Sequence, residues 1–461
     1  MDTSQRERLR RRRILALLGA AFFMTILDST SLLTALPSIK RDLDLSGPAT
    51  QWTVTSYALA FGGLLLLCGR VADLRGRRRA FLTGIGLRVL ATLICGLAPT
   101  FAVLVAARAL QGASAAIIAP AALSMVMNTF PEGAERNKAL GIWGSLGGVG
   151  ATSGLLLGGV ITDTFGWRWV FLINVPIGIA VLAVAPALLA ESRGPQRTRS
   201  FDIAGALTVT AALVLLVYAI VDVPDAGWAS GRFVGAGVGA LVLACAFVAV
   251  ESRSAAPLVP LRAVRSRSLI GGNLTVLVAG MAVDGMLITL TSYVQQALGW
   301  SAVQFGLVAA AMTVSSVAGA LVSQRIATTQ ALRPVASAGM VLLIGACMLL
   351  TRVSAAGSLR IVLVALVIFG AGMGAAFVSS QIAALSGVAE DDSGLAAGLV
   401  DTCFTIGSAL GIAICTTVAG VGTLVRGEQI AFGAAGLFAV VGLAGALTLL
   451  PRRPAGELIP A

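Results

Sequence analysis

The chain has 461 residues, 57% of them hydrophobic and 12% charged, with a mean hydropathy of +0.92 and a net charge of +12. A soluble protein of this length could not cover itself with so little polar surface. Histidine is absent, which excludes a Ser-His-Asp triad, a histidine-ligated zinc and a histidine proton relay.

Apolar runs long enough to cross a bilayer recur along the whole chain. In order, they predict membrane helices at 14–36, 50–69, 80–98, 101–127, 138–160, 168–190, 203–221, 233–250, 269–292, 302–324, 334–352, 359–385, 394–418 and 430–450. The first run is too long for a signal-peptide core and lacks a small-residue cleavage site, so it reads as a retained helix. Most Lys and Arg lie in connecting segments that alternate on one side, starting with "RERLRRRR" (Arg6 to Arg13). The positive-inside rule places that side, and with it both termini, in the cytoplasm. The surplus of basic charge is then a topology anchor and not a nucleic-acid arm. All six cysteines fall within predicted spans without CxxC spacing and read as small apolar residues, with no metal. An excess of Ala, Gly and Arg fits a high-GC bacterial gene, hence a bacterial inner membrane.

Two polar segments, 191–201 and 251–268, flank the seventh and eighth spans and isolate them as a hairpin. Removing it leaves two sets of six spans in the same orientation. The chain divides into an N-terminal half (1–190), a linker with its hairpin (191–268) and a C-terminal half (269–461). The expected fold is an all-α integral membrane protein with 14 helices, two parallel six-helix halves around a cavity, as in secondary transporters.

The junction after the second span reads "GRVADLRGRRRAFL", with Gly69 and Gly76 allowing a tight turn and Asp73 among Arg70, Arg75, Arg77, Arg78 and Arg79. This pattern resembles the signature of the major facilitator superfamily, G-x-x-x-D-x-x-G-R-R. "LDSTSLLTALP" (27–37) resembles the first-helix signature of that family's fourteen-span drug:proton antiporter branch. "QWTVTSYALA" (51–60), "ARALQGASAA" (107–116), "WRWVFLINVPIG" (167–178) and "FDIAGAL" (201–207) are similar to the branch in order and spacing. The second half matches through "SYVQQALGWSAVQFGL" (292–307) and "GLAAGLVDTCFTIGSALGIA" (394–413).

The resemblance implies a monomeric exporter of lipophilic cationic or neutral drugs or natural products. Protons would be its coupling ion, without another cofactor, and its partners the lipid bilayer and a small-molecule substrate. A dedicated exporter of one metabolite, and a lipid-handling protein on the same scaffold, are the alternatives. No G-x-x-x-x-G-K-[ST] loop occurs, so neither ATP-driven pumping nor an enzyme activity is expected.

In the fifth span Gly150, Gly154 and Gly158 repeat every four residues, leaving a face without side chains for close helix packing. The resemblance makes this the family's antiporter motif, with Leu155 where a proline is usual. No proline falls inside spans 9, 10, 12, 13 or 14, so bending there would rest on glycines such as Gly370, Gly372, Gly374, Gly407 and Gly411.

Five ionisable residues, Asp28, Arg88, Arg108, Asp284 and Asp401, stand well inside spans where carbon is expected, and such residues are functional candidates. Counting residues at about 1.5 Å of rise puts Asp28, Arg108 and Asp284 at one depth, roughly 10–12 Å below the outer surface. Asp28 is expected to pair with Arg108, with Gln111 nearby, and to take part with Arg108, Asp284 and Asp401 in proton coupling, Asp284 being protonatable or facing cargo; a static ion pair that fixes helix packing is the alternative. Asp401, in the cytoplasmic third, is either a second proton site or a cap on local backbone. Tyr57, Tyr293 and Gln296 join Asp28, Gln111 and Asp284 as expected cavity residues. Arg88 is expected to snorkel or to meet a partner on the hairpin. Finally, Glu390, Asp391 and Asp392 form the one strongly acidic loop on the basic side. They are expected to pair with Arg75, Arg77 and Arg78 as a latch between the halves, or else to form a solvated loop.

Overall fold

The computed structural model describes residues 3–45, 47–192, 203–253, 267–329, 332–355, 357–386, 388, 393–420 and 423–450. Helices α1 (Thr3–Asp42), α2 (Gly47–Arg75), α3 (Arg77–Gly96), α4 (Phe101–Thr129) and α5 (Ala134–Phe165) come first. The short α6 (Arg168–Leu172) and α7 (Asn174–Leu188) together make a sixth passage. The pair α8 (Ile203–Ala226) and α9 (Gly231–Glu251) forms the hairpin, packed beside α2 and α14. Then follow α10 (Arg267–Ser292), which widens into a π-helical turn (Tyr293–Ala297), α11 (Ala302–Thr329), α12 (Leu332–Leu350), α13 (Leu359–Leu385), α14 (Ser393–Ala419) and α15 (Leu424–Leu449).

Twelve of these passages are long and apolar enough to cross a membrane. Bent by 51°, α2 makes a thirteenth, and α8 contributes a shorter apolar stretch, Leu207–Ile220. The layout is compatible with the fourteen spans expected.

The helix pairings repeat. The first helix of each six packs on the fifth (α1 on α5, α10 on α14), and the second on the fourth (α2 on α4, α11 on α13). The sixes meet through α5 with α11 and α2 with α14, again the fifth of one with the second of the other. Glycine makes this closeness possible. A Cβ at Gly158 would stand 2.7 Å from the Cα of Ser31 on α1, and one at Gly411 would stand 2.6 Å from the Cα of Met281 on α10. Such distances are shorter than any carbon contact, so these backbones approach only because no side chain intervenes. Leu155, at the proline position of the motif, packs against the outer core of the second six.

Three large apolar cores organise the two sixes, and a small fourth one, around Ile220 and Ala413, joins the hairpin to α14. On the arginine-rich face one core runs through both sixes, from Leu18, Phe81, Val126 and Leu140 to Val378 and Val400. On the opposite face, here called outer, each six closes its own core, around Leu32 and Phe171 in one and around Met286, Phe305 and Phe369 in the other. The seal between the sixes therefore lies toward the arginine-rich face.

At the outer end of α1, the Asp42 carboxylate accepts hydrogen bonds from the Trp167 indole (3.0 Å) and from Arg168 (2.7 Å). The Arg168 guanidinium also lies 4.4 Å from the Trp167 ring centroid. The indole N–H first, and Arg168 second, hold this carboxyl below the usual carboxylate range.

Two outcomes follow for purified protein. Gly158→Leu lowers the melting temperature by the equivalent of about 1–3 kcal/mol of overpacking, whereas Gly235→Leu, with nothing within 4 Å of its Cβ position, leaves it unchanged. Asp42→Asn gives a small loss, since this pair is about half exposed. Because the folded-state pKa is depressed, the loss is full at neutral pH and disappears as pH falls through that pKa; thermal melts at both pH values check it.

Candidate functional site

Two buried arginines of the first six helices converge on one carboxylate. Arg108 on α4 donates from Nη1 to Asp28 Oδ2 at 3.1 Å and to Gln111 Oε1 at 2.8 Å. Arg88 on α3 donates from Nη2 to the same Asp28 oxygen, also at 3.1 Å. Gln111 Nε2 reaches Asp28 Oδ1 at 3.4 Å and Thr92 Oγ1 at 2.8 Å, and Arg108 Nε donates to the Thr53 carbonyl at 3.0 Å. Asp28 and Gln111 are fully buried, and the two arginines are 1% exposed. Removing Asp28 from this set costs about 3–5 kcal/mol, because both buried arginines are then left uncompensated.

Arg88 corrects the sequence reading. It neither snorkels nor meets the hairpin; it points into the bundle and shares the Asp28 Oδ2 oxygen with Arg108. The depth count that grouped Asp28 with Arg108 places Arg88 only slightly deeper, and that count was the available signal.

A cavity of about 340 Å³ lies between the two sixes. Its lining comes from α1, α2, α4 and α5 on one side and α10 to α14 on the other, and is almost entirely apolar. The polar exceptions include Thr25, Ser29, Thr30, Tyr57 and Thr405, and its carboxyl groups are Asp284 and Asp401. Asp284 on α10 hydrogen-bonds Ser408 of α14, two helical turns along from Asp401. At the end nearest the arginine-rich face stand two aromatic pairs, one from each six. Phe22 stacks on Trp143 with centroids 4.3 Å apart, and Phe377 meets Phe404 edge-on at 5.5 Å. Thr152 and Thr313 bridge the sixes through their hydroxyls.

Of the expected cavity residues, Tyr57, Asp284 and also Asp401 line it. Asp28 and Gln111 do not: they lie in the wall, among α1, α3 and α4, with Tyr57 screening the network from the cavity. The Tyr57 ring centroid is 4.6 Å from the Arg108 guanidinium carbon and 5.9 Å from that of Arg88, within cation–π reach. Tyr293 is fully buried in the outer core of the second six, donating its hydroxyl to the Ser354 carbonyl at 2.8 Å. Gln296 is exposed. Both belong to the π-helical turn, and neither lines the cavity.

The arginine-rich junction is built on Asp73, which pairs with Arg77 at 2.8 Å in a buried contact. Gly76 turns the chain at φ +112°, a backbone that favours glycine, and a side chain there would strike Glu191. Arg78 donates to the Pro186 carbonyl at 2.9 Å, its backbone N–H reaches Glu191 at 3.3 Å, and Arg77 N–H donates to the Ser192 carbonyl. Among the described residues this junction is therefore clasped by the end of the sixth passage. Gly69 lies in the last turns of α2, and Arg75 is exposed. Glu390, Asp391 and Asp392 lie outside the described residues. Gly150 and Gly154 face Ile26 and Thr30 of α1, as Gly158 faces Ser31.

Comparison with known proteins agrees with this geometry. The family model "Major Facilitator Superfamily" matches residues 18–412 and 272–460. The cephamycin export protein CmcT of Amycolatopsis lactamdurans is 40% identical over 415 residues, covering 89% of this chain and 85% of CmcT. The puromycin resistance protein pur8 of Streptomyces alboniger is 36% identical over 408 residues, covering 88% and 81%. The crystal structure of the human organic anion transporter MFSD10 (TETRAN) has a TM-score of 0.71, at 15% identity, over 95% of this chain and 99% of that one, a likeness of fold alone. The chain is a membrane transporter of the major facilitator superfamily.

Proposed function

We propose that the protein exports lipophilic cationic or neutral drugs or natural products across the bacterial cytoplasmic membrane, coupled to proton entry by alternating access. The observation that carries this reading is one apolar cavity between the sixes, holding Asp284 and Asp401 and sealed toward the arginine-rich, cytoplasmic face. The names of the relatives, a cephamycin exporter and a puromycin resistance protein, support natural-product antibiotics as cargo.

The steps follow from the lining. From the outer side, a proton binds at Asp284 or Asp401 and displaces cargo held by the carboxylate and the apolar walls. The sixes then rock, and the Phe22–Trp143 and Phe377–Phe404 pairs part to open the cytoplasmic side. The proton leaves to the more alkaline cytoplasm, and new cargo takes its place. The membrane potential adds about 2.3 kcal/mol per charge per 100 mV to proton entry. Asp28, tied to two arginines inside the wall, acts as the fixed frame of the first six. A dedicated exporter of a single natural product is the second reading, favoured by the identity to a protein named for one compound. A growth panel against toxic compounds separates the two by the number of compounds tolerated.

Dye efflux from cells, with and without a protonophore, tests the coupling. Asp284→Asn and Asp401→Asn are expected to lower protonophore-sensitive efflux at least tenfold at unchanged protein level. Efflux of wild-type size in the double variant would overturn the assignment.

A further inference from the structure

The network around Asp28 is unbalanced. Two guanidiniums, Arg88 and Arg108, share one carboxylate, and both bind the same oxygen of it. Among the described residues no other acid joins them, so positive charge is in surplus whatever the carboxyl carries. The surplus sits in the bundle interior, at 1% exposure, and the Arg88 Nε is without a hydrogen-bond partner. An uncompensated charge in such surroundings is costly, and its field is little screened there. What lies between it and the cavity is the ring of Tyr57, in reach of both guanidiniums on one side and part of the cavity lining on the other. The opposite wall carries Asp284 and Asp401. The cavity is thus bipolar, cationic behind Tyr57 and acidic on the second six.

We propose that Arg88 makes the Tyr57 wall a subsite for an anionic group of the cargo, so that the favoured cargo is an amphoteric, lipophilic molecule. Such a molecule sets a carboxylate, or a similar anion, against the Tyr57 wall and an amine toward Asp284 and Asp401. Arg108 alone would be balanced by Asp28; Arg88 supplies the charge that the cargo completes. This deepens the export reading, because it rests on the same cavity being the cargo site.

The test uses two dyes of nearly one shape, rhodamine B, which bears a free carboxylate beside its cationic xanthene, and its ethyl ester, in which that carboxylate is masked. Equilibrium binding to the purified full-length protein is followed by fluorescence polarisation, which does not depend on proton coupling. Wild type is expected to bind rhodamine B more tightly than the ester. Arg88→Gln is expected to lower the affinity ratio of acid to ester about tenfold, and Arg88→Lys, which keeps the charge, to hold it within about threefold of wild type. Equal affinities in wild type overturn the proposal without any variant, so a poorly folded Arg88→Gln does not protect it. A ratio in folded Arg88→Gln equal to that of wild type overturns it as well. Binding of neither dye overturns the cargo-site assignment beneath it, a result distinct from equal binding, which removes the charge complementarity alone.

Discussion

A buried charge must meet its opposite, and the first half of this transporter is arranged around that demand. Asp28 stands on a helix otherwise built for hydrocarbon, and α3 and α4 each bring an arginine to it. Gln111 completes the set by holding Asp28, Arg108 and Thr92 together. Because the parts come from three helices, α1, α3 and α4 are fixed in register by electrostatics as well as by packing. A network of this kind is worth more for the arrangement it specifies than for net stability.

Glycine provides the complementary constraint. In both sixes the first and fifth helices approach until backbone meets backbone, through Gly154 and Gly158 in one and Gly407 and Gly411 in the other. Each six thereby becomes a stiff unit. The contacts left between units are a seal at the arginine-rich face, the aromatic pairs above it and a few bridges such as Thr152 to Thr313. Stiff halves with a seal at one end are the arrangement that rocking about a central site requires. The glycines on which bending in the second half was expected to rest include Gly370 and Gly374, and these stand against α11 backbone in close packing.

Much of this was legible in the sequence. Hydropathy gave the passages, and the four-residue glycine spacing the tight α1–α5 contact. Depth counting brought Asp28 to Arg108, because rise per residue is constant along a helix. It did not tell which way around each helix a side chain points, and that is where expectation and structure part. Arg88, expected to snorkel or to meet the hairpin, turns inward to Asp28 instead, at a depth close to that of Asp28. Asp28 and Gln111 were expected in the cavity but face the interior of their own six. Tyr293 and Gln296, also expected in the cavity, stand in a π-helical turn, one buried in the outer core and the other exposed. Rotation about the helix axis is set by contacts between distant segments, and a single sequence does not contain them.

The central claim is that the cavity carboxyl groups exchange a proton for cargo. Proton release on cargo binding tests it most directly, measured with a pH-sensitive dye in weakly buffered solution of the purified protein. Wild type should release protons in proportion to bound cargo, and the variant carrying both Asp284→Asn and Asp401→Asn should release none while still folded. Cargo binding to wild type with no proton release, or release that persists in the double variant, would contradict the account.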